Sequence, residues 1–221
     1  MLDSIKLPQT ILYIRRLVEE VAAGMLPGQT VIDAGAGECQ YKPLFDHVHY
    51  LAVDLCVGDA NWDFSRIDIN APLHDIPLPD GTADVVLCTE VLEHVPNPHQ
   101  VVAELARLLK PGGSLYLTVP FSAREHQVPY DFFRYTQYGV RYLCEQAGLE
   151  VEYIRPVRGD FYRAYCVLGE QGAHIKGRIW QWPILLLKLY LALFIDKLES
   201  MEKDCHGTSA WHCRAVKKRS G

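Results

Sequence analysis

Three sets of residues in this chain have types and spacings suited to chemistry. The first is Gly35-Ala36-Gly37, which follows Val31, Ile32 and Asp33. Val31 and Ile32 suit a strand covered on both faces, and the glycines let the backbone turn sharply or let a ligand approach it. Such a turn presents backbone N–H groups at the carboxyl end of a strand, the usual ligand site of an open α/β sheet. The second set is Asp54 and Asp68, each ending a further apolar stretch. A carboxylate at Asp54 can accept from both hydroxyls of a ribose, while Asp68 and the N–H of Ile69 can meet the amino edge of adenine. Either aspartate alone is more readily a turn or helix cap. Both at successive strand ends, after a Gly-x-Gly turn, point to a nucleotide.

The third set lies in a polar, aromatic stretch: Arg124, Glu125, His126, Tyr130, Asp131, Arg134 and Tyr135. A histidine titrates near neutrality, so His126 is the candidate general base. Asp131 could orient its imidazole, and Arg134 could hold a carboxylate or phosphate. The plainer alternative is a loop tied down by its own ion pairs, with Arg134 bridging Asp131 or Glu125. The nucleotide itself stays open at this point. Dinucleotide sites prefer Gly-x-Gly-x-x-Gly, and the third glycine position here is Gln40, which counts against a nicotinamide-dependent oxidoreductase.

Alternating strands and helices are needed to bring these sets together. Apolar spacing predicts a helix over 8–24, ended by Gly24 and Pro27-Gly28. Strands follow at 30–34, 49–53, 65–69, 84–88 and 114–119, with a short helix at 40–46 and an amphipathic one at 98–109. Pro111-Gly112-Gly113 reads as the stop of the latter. Beyond a loop at 121–135 come a helix at 136–147, a strand at 150–154 and a last strand at 210–216 that closes the sheet. This order predicts a three-layer αβα sandwich, with a mostly parallel seven-stranded sheet whose last strand is antiparallel. Residues 1–221 read as a single domain carrying an apolar helical insertion at about 174–200.

Composition narrows the partners. A net charge of −5 argues against nucleic acid, and the basic cluster Arg214, Lys217, Lys218 and Arg219 reads as a solvated tail. Seven cysteines without CxxC spacing indicate neither a disulfide framework nor zinc. A reduced, cytoplasmic setting is expected, without a signal peptide. Cys205, His206, His212 and Cys213 lack ligand spacing, so no metal is expected. Ile184–Ile195 is apolar except for Lys188, and twelve helical residues rise about 18 Å, too short to span a bilayer. Residues 180–198 are therefore expected to pack on the sheet, to form a homodimer contact, or to rest on a membrane surface.

In its motifs the chain resembles the class I, seven-stranded, Rossmann-like S-adenosylmethionine-dependent methyltransferases, from about residue 29 to 148. Val31 to Gly37 is similar to that family's first motif, Asp54 to its ribose-binding acid and Asp68-Ile69 to its adenine-contacting pair. Leu78 to Val86 resembles the approach to the fourth strand. Thr89-Glu90-Val91-Leu92-Glu93-His94-Val95 and Leu108 to Gly113 look like a small-molecule methyltransferase branch. The resemblance implies S-adenosyl-L-methionine as cofactor, contacted by Asp33, Gly35, Ala36, Gly37, Asp54, Leu55, Asp68, Ile69 and Glu90. Asp33 is expected to support the turn, and His94 to be structural. His126-x-x-Pro129-x-Asp131-x-x-Arg134 resembles a subgroup associated with glycan or cell-surface biosynthesis. The implied acceptor is an oxygen or nitrogen of a small molecule or of a lipid- or glycan-linked compound. The alternative is an inactive protein that still binds the cofactor.

Overall fold

A computed structural model describes residues 9–58, 61–157 and 208–219, with isolated positions between 164 and 197. Helix α1 (Gln9–Gly24) turns Ile14, Leu17, Val18 and Val21 onto Val31 of strand β1 (Thr30–Ala34). Val85 and Leu87 of β4 (Ala83–Thr89) complete that layer of the core. The opposite face of the same strands offers Ile32, Val86 and Cys88 to α2 (Pro98–Leu108) and α3 (Gln137–Gln146). Alternate side chains of one strand thus reach opposite helical layers, as the period of two demands.

The seven strands run in the order β3-β2-β1-β4-β5-β7-β6. Here β2 is His49–Asp54, β3 Ile69–Asn70, β5 Leu109–Pro120, β6 Leu149–Pro156 and β7 Ala210–Lys217. The first five are mutually parallel, and β7 lies antiparallel to both β5 and β6. The expected sandwich and its antiparallel last strand are observed. The last strand does not close an edge, however; it inserts between β5 and β6.

Three local expectations change. The third strand is only Ile69–Asn70, because residues 63–67 fold as turns and the Asp68 carboxylate takes the Ala52 N–H at 2.9 Å. Asp68 therefore precedes this strand instead of ending it. The expected helix at 40–46 is a short 3₁₀ turn, Lys42–Phe45. Pro111-Gly112-Gly113 does not end α2, which stops at Leu108 and passes straight into β5. The three residues instead form an irregularity: Ala83 pairs with Leu109 but Val85 pairs with Ser114. A Cβ on Gly113 would meet the carbonyl oxygens of Asp84 and Lys110 at 3.0 Å, so the close approach needs glycine.

Arg107 holds the loop before β4 against α2. Its guanidinium bonds Glu104 and Asp80 and donates to the carbonyls of Ile76 and Leu78. The basic C-terminal residues are not simply solvated either. Arg214 pairs with Glu152 at 2.9 Å, and Lys217 donates to the carbonyls of Arg107 and Leu109. The insertion expected at 174–200 lies outside the described residues, apart from Trp182, Pro183, Leu186, Leu187, Leu189, Tyr190, Phe194 and Lys197, which are helical and exposed.

Candidate active site at the carboxyl ends of the strands

The turn after β1 is closed by its neighbour. The N–H groups of Gly35 and Ala36 donate to the Val53 carbonyl at 2.8 and 3.2 Å, and that of Gly37 to Asp54 Oδ2 at 2.9 Å. Asp54 Oδ1 accepts from Cys56 N at 2.7 Å, so this carboxylate caps two turns at once. Each oxygen keeps a second lone pair that a ribose hydroxyl could use. Gly35 has a φ of +82°, and a Cβ there would lie 2.4 Å from Val91 Cγ2. Gly37, at φ +52°, has open space above it, with Trp62 the nearest group at 4.0 Å. The first glycine permits packing inside the protein; the second leaves room outside it.

Asp33 lies beneath this turn and is fully buried, with Tyr50 Oη donating to its Oδ2. Burial raises its carboxyl to about 6, against the pull of that hydrogen bond. Its carboxylate is thus tied to Tyr50 of the neighbouring strand β2. Leu55 and Ile69 lie just past Asp54 and Asp68, with Leu55 exposed and Ile69 half-buried. Asp68 already accepts from Ala52 N and from Lys42 Nζ at 3.1 Å, which places it as a brace between β2 and the 3₁₀ turn.

After β4 the chain makes a strained turn. Glu90 has a φ of +53°, rare for a residue with a Cβ, and its N–H donates to the Thr118 carbonyl at 3.0 Å. Glu90 Oε1 is buried without a partner. Such a group favours a donor or a cation beside it, which suits the methionyl end of S-adenosylmethionine. Three residues on, Glu93 is wholly buried and both of its carboxylate oxygens lack a partner. Burial pushes both carboxyls upward, and the charge of Glu90 raises Glu93 further.

The 121–135 loop is stitched to this turn. Phe132 N donates to the Glu93 carbonyl at 2.7 Å, and Tyr135 Oη donates to the Leu92 carbonyl at 2.8 Å. Asp131 accepts from the backbone N–H of His126 at 2.9 Å and pairs with Arg134 through both oxygens. Arg134 also donates to the carbonyls of Ala123, Arg124 and Phe133. Its guanidinium is thus engaged by the loop itself. Asp131 orients the His126 backbone more directly than its ring: Nδ1 is 3.5 Å from Oδ2 but 2.9 Å from the Arg124 carbonyl. Because a carbonyl can only accept, Nδ1 carries the proton and Nε2 keeps a free lone pair.

Glu93 is a site residue to which the sequence assigns no role, and His94 is one expected there to be structural. The motif Glu90-Val91-Leu92-Glu93-His94 contains them, yet nothing in their spacing says that His126 folds back onto them. The rings of His94 and His126 meet edge to face, 4.8 Å apart.

Residues 32–117 match the family model described as a methyltransferase domain. A "probable S-adenosylmethionine-dependent methyltransferase" of Mycolicibacterium smegmatis is 32% identical over 137 residues, covering 57% of this chain and 53% of the relative. A ubiquinone biosynthesis O-methyltransferase of Shewanella pealeana is 30% identical over 112 residues, covering 46% and 47%. The chain thus spans about half the length of these two curated relatives. Among solved structures, 1,6-didemethyltoxoflavin-N1-methyltransferase of Burkholderia thailandensis, with S-adenosylhomocysteine bound, superposes with a TM-score of 0.57 at 17% identity, covering 92% of this chain and 78% of that one. Over residues 32–117 the chain is thus similar to methyltransferase domains, and its fold is that of a solved S-adenosylhomocysteine-bound methyltransferase.

Proposed function

We propose that the protein is an enzyme that moves the methyl group of S-adenosylmethionine to an oxygen or nitrogen of a small-molecule, lipid-linked or glycan-linked acceptor. The observation that carries this reading is the His126 tautomer. Its Nε2 lone pair is presented beside the turn that follows β4, on a loop bonded to that turn. In the step, the acceptor oxygen or nitrogen attacks the methyl carbon in line as the carbon–sulfur bond breaks. The sulfur leaves as S-adenosylhomocysteine, and the acceptor proton passes to His126 Nε2. Gly35, Ala36, Gly37 and Asp54 hold the nucleoside, with Leu55, Asp68 and Ile69 around the adenine and Glu90 at the methionyl end.

The O-methyltransferase relative and the N-methyltransferase of the same fold support a small acceptor without choosing between the two atoms. Mass-spectrometric detection of methylated product, with S-adenosylmethionine and a panel of phenols, amines and polyprenyl-linked sugars, tests the proposal. Cofactor binding without any product would leave the inactive, cofactor-binding alternative standing.

Membrane or homodimer contact through 180–198 has its own support. Trp182, Leu186, Tyr190 and Phe194 recur every four residues, and each of these described positions is helical and exposed. Among the described residues no helix is long and apolar enough to cross a membrane. A surface contact suits a lipid-linked acceptor.

A further inference from the structure

Three acceptor atoms converge beside the candidate methyl-donor site with nothing to hold them together. Glu93 Oε1 lies 3.6 Å from His94 Nε2 and 3.9 Å from His126 Nε2. These distances are too long for hydrogen bonds. The tautomers make the convergence sharper. His94 Nδ1 lies 2.7 Å from the Tyr130 carbonyl and His126 Nδ1 lies 2.9 Å from the Arg124 carbonyl, so both imidazoles donate outward. Both Nε2 lone pairs then face the Glu93 carboxylate, which is fully buried and has no partner on either oxygen. Three electron-rich atoms brought this close repel one another unless a cation lies between them or the Glu93 carboxyl takes up a proton.

We propose that Glu93 Oε1, His94 Nε2 and His126 Nε2 bind a divalent first-row transition-metal ion of the Mn²⁺ or Zn²⁺ type. The ligand atoms all lie within 4.8 Å of one another. Ligands about 2.1 Å from a tetrahedral ion stand about 3.4 Å apart, so a small inward movement completes the set. Two imidazoles and one carboxylate are a donor set for Zn²⁺, Mn²⁺ or Fe²⁺, whereas Ca²⁺ and Mg²⁺ prefer oxygen alone. The Nδ1–H bonds to backbone carbonyls supply the outer support that orients metal-binding histidines. Glu93 and His94 share the Leu92–His94 3₁₀ turn, and Asp131 and Arg134 hold His126 over it.

Three protein ligands leave positions for the acceptor. This role deepens the methyl-transfer proposal and rests on it; the binding of the ion does not. A bound hydroxyl loses its proton more easily at such an ion. His126 would then be a ligand, and the proton would leave to solvent.

The binding test uses the full chain, stripped with chelator, without methyl donor or acceptor. Titration with Mn²⁺, followed by loss of the free-ion electron paramagnetic resonance signal, should show about one ion bound per chain, displaced by Zn²⁺. His126→Ala removes one ligand from a half-exposed loop, and Glu93→Gln keeps the shape of the buried group while removing its charge. Each should weaken Mn²⁺ binding by about 10-fold or more. Mn²⁺ should also raise the melting temperature of the native chain and not that of Glu93→Gln. Absence of binding up to millimolar Mn²⁺ and Zn²⁺ would overturn the proposal, as would binding that both substitutions leave unchanged. Because neither readout involves methyl transfer, a metal-free but active enzyme, or a metal-binding but inactive one, is recognised as such.

Discussion

Arg134 grips Asp131 with both arms of its guanidinium, Nη1 to Oδ1 at 2.6 Å and Nη2 to Oδ2 at 2.8 Å. The pair is a clamp on the 121–135 loop, since Asp131 also takes the His126 N–H and is almost wholly buried. Arg134→Ala would leave that carboxylate unpaired. We expect a loss of about 3 kcal/mol in urea unfolding, and a smaller one for Arg134→Lys, which keeps the charge but not the fork. Unaltered stability in both variants would mean that the clamp contributes nothing.

His126→Ala should lower methyl-transfer turnover by about 100-fold while leaving the dissociation constant for S-adenosylhomocysteine within a few-fold of native. The half-exposed ring lies against Arg124, Asp131 and His94. Equal losses in turnover and cofactor affinity would remove His126 from the chemistry.

The two glycines of the first turn should fail differently. Gly35→Ala puts a methyl 2.4 Å from Val91 Cγ2 at a φ of +82°, so a stability loss above about 2 kcal/mol is expected. A second substitution, Val91→Ala, should return part of it, as a double-mutant cycle would reveal. Gly37→Ala meets open space and should cost about 1 kcal/mol of stability. Its larger effect should be on cofactor affinity, measured by calorimetry with S-adenosylhomocysteine. If Gly37→Ala left that affinity unchanged, the space above Gly37 would not be the cofactor's.

Asp54→Ala removes the cap on Gly37 and Cys56 together with the carboxylate that the proposed function assigns to the ribose. Cofactor affinity should fall about 10- to 100-fold, on the scale of one or two charge-assisted hydrogen bonds. Asp68→Ala should cost more in stability than in affinity, because its carboxylate braces Ala52 and Lys42.

Acid stability should depend on His212. Burial, helped by the Arg155 cation, lowers its imidazole from 6.5 to about 4. The unfolded chain therefore takes up this proton first, and the contribution of neutral His212 is complete above about pH 6.5 and lost as pH falls toward 4. Asp33, raised from 3.8 to about 6, works in the opposite sense over much of the same range. The informative quantity is thus the difference between His212→Gln and native stability, which should move by about 3 kcal/mol in favour of the variant from pH 7 to pH 4. A pH-independent difference would show that His212 titrates normally.

Residues 180–198 should carry part of the protein into a liposome pellet, and replacing Leu186 and Tyr190 with Ser should release it. Complete retention in the supernatant, with a dimer in solution, would assign the exposed apolar face to a second copy.

Local pattern alone determined the alternation of strands and helices, the glycine turn and the acids after it, because strand and helix periods and strand-end position depend on neighbours a few residues away. Where β7 inserts, how Pro111-Gly112-Gly113 is absorbed into a strand and why the third strand shrinks to Ile69–Asn70 were decided by pairing with distant chain. The same holds for the site. Glu90, Glu93 and His94 lie together in the sequence, but only tertiary packing lays the His126 loop over them, through Phe132 to the Glu93 carbonyl and Tyr135 to the Leu92 carbonyl. Which nitrogen of each histidine faces Glu93 depends on the carbonyls of Tyr130 and Arg124, and no spacing of residue types encodes a carbonyl's direction.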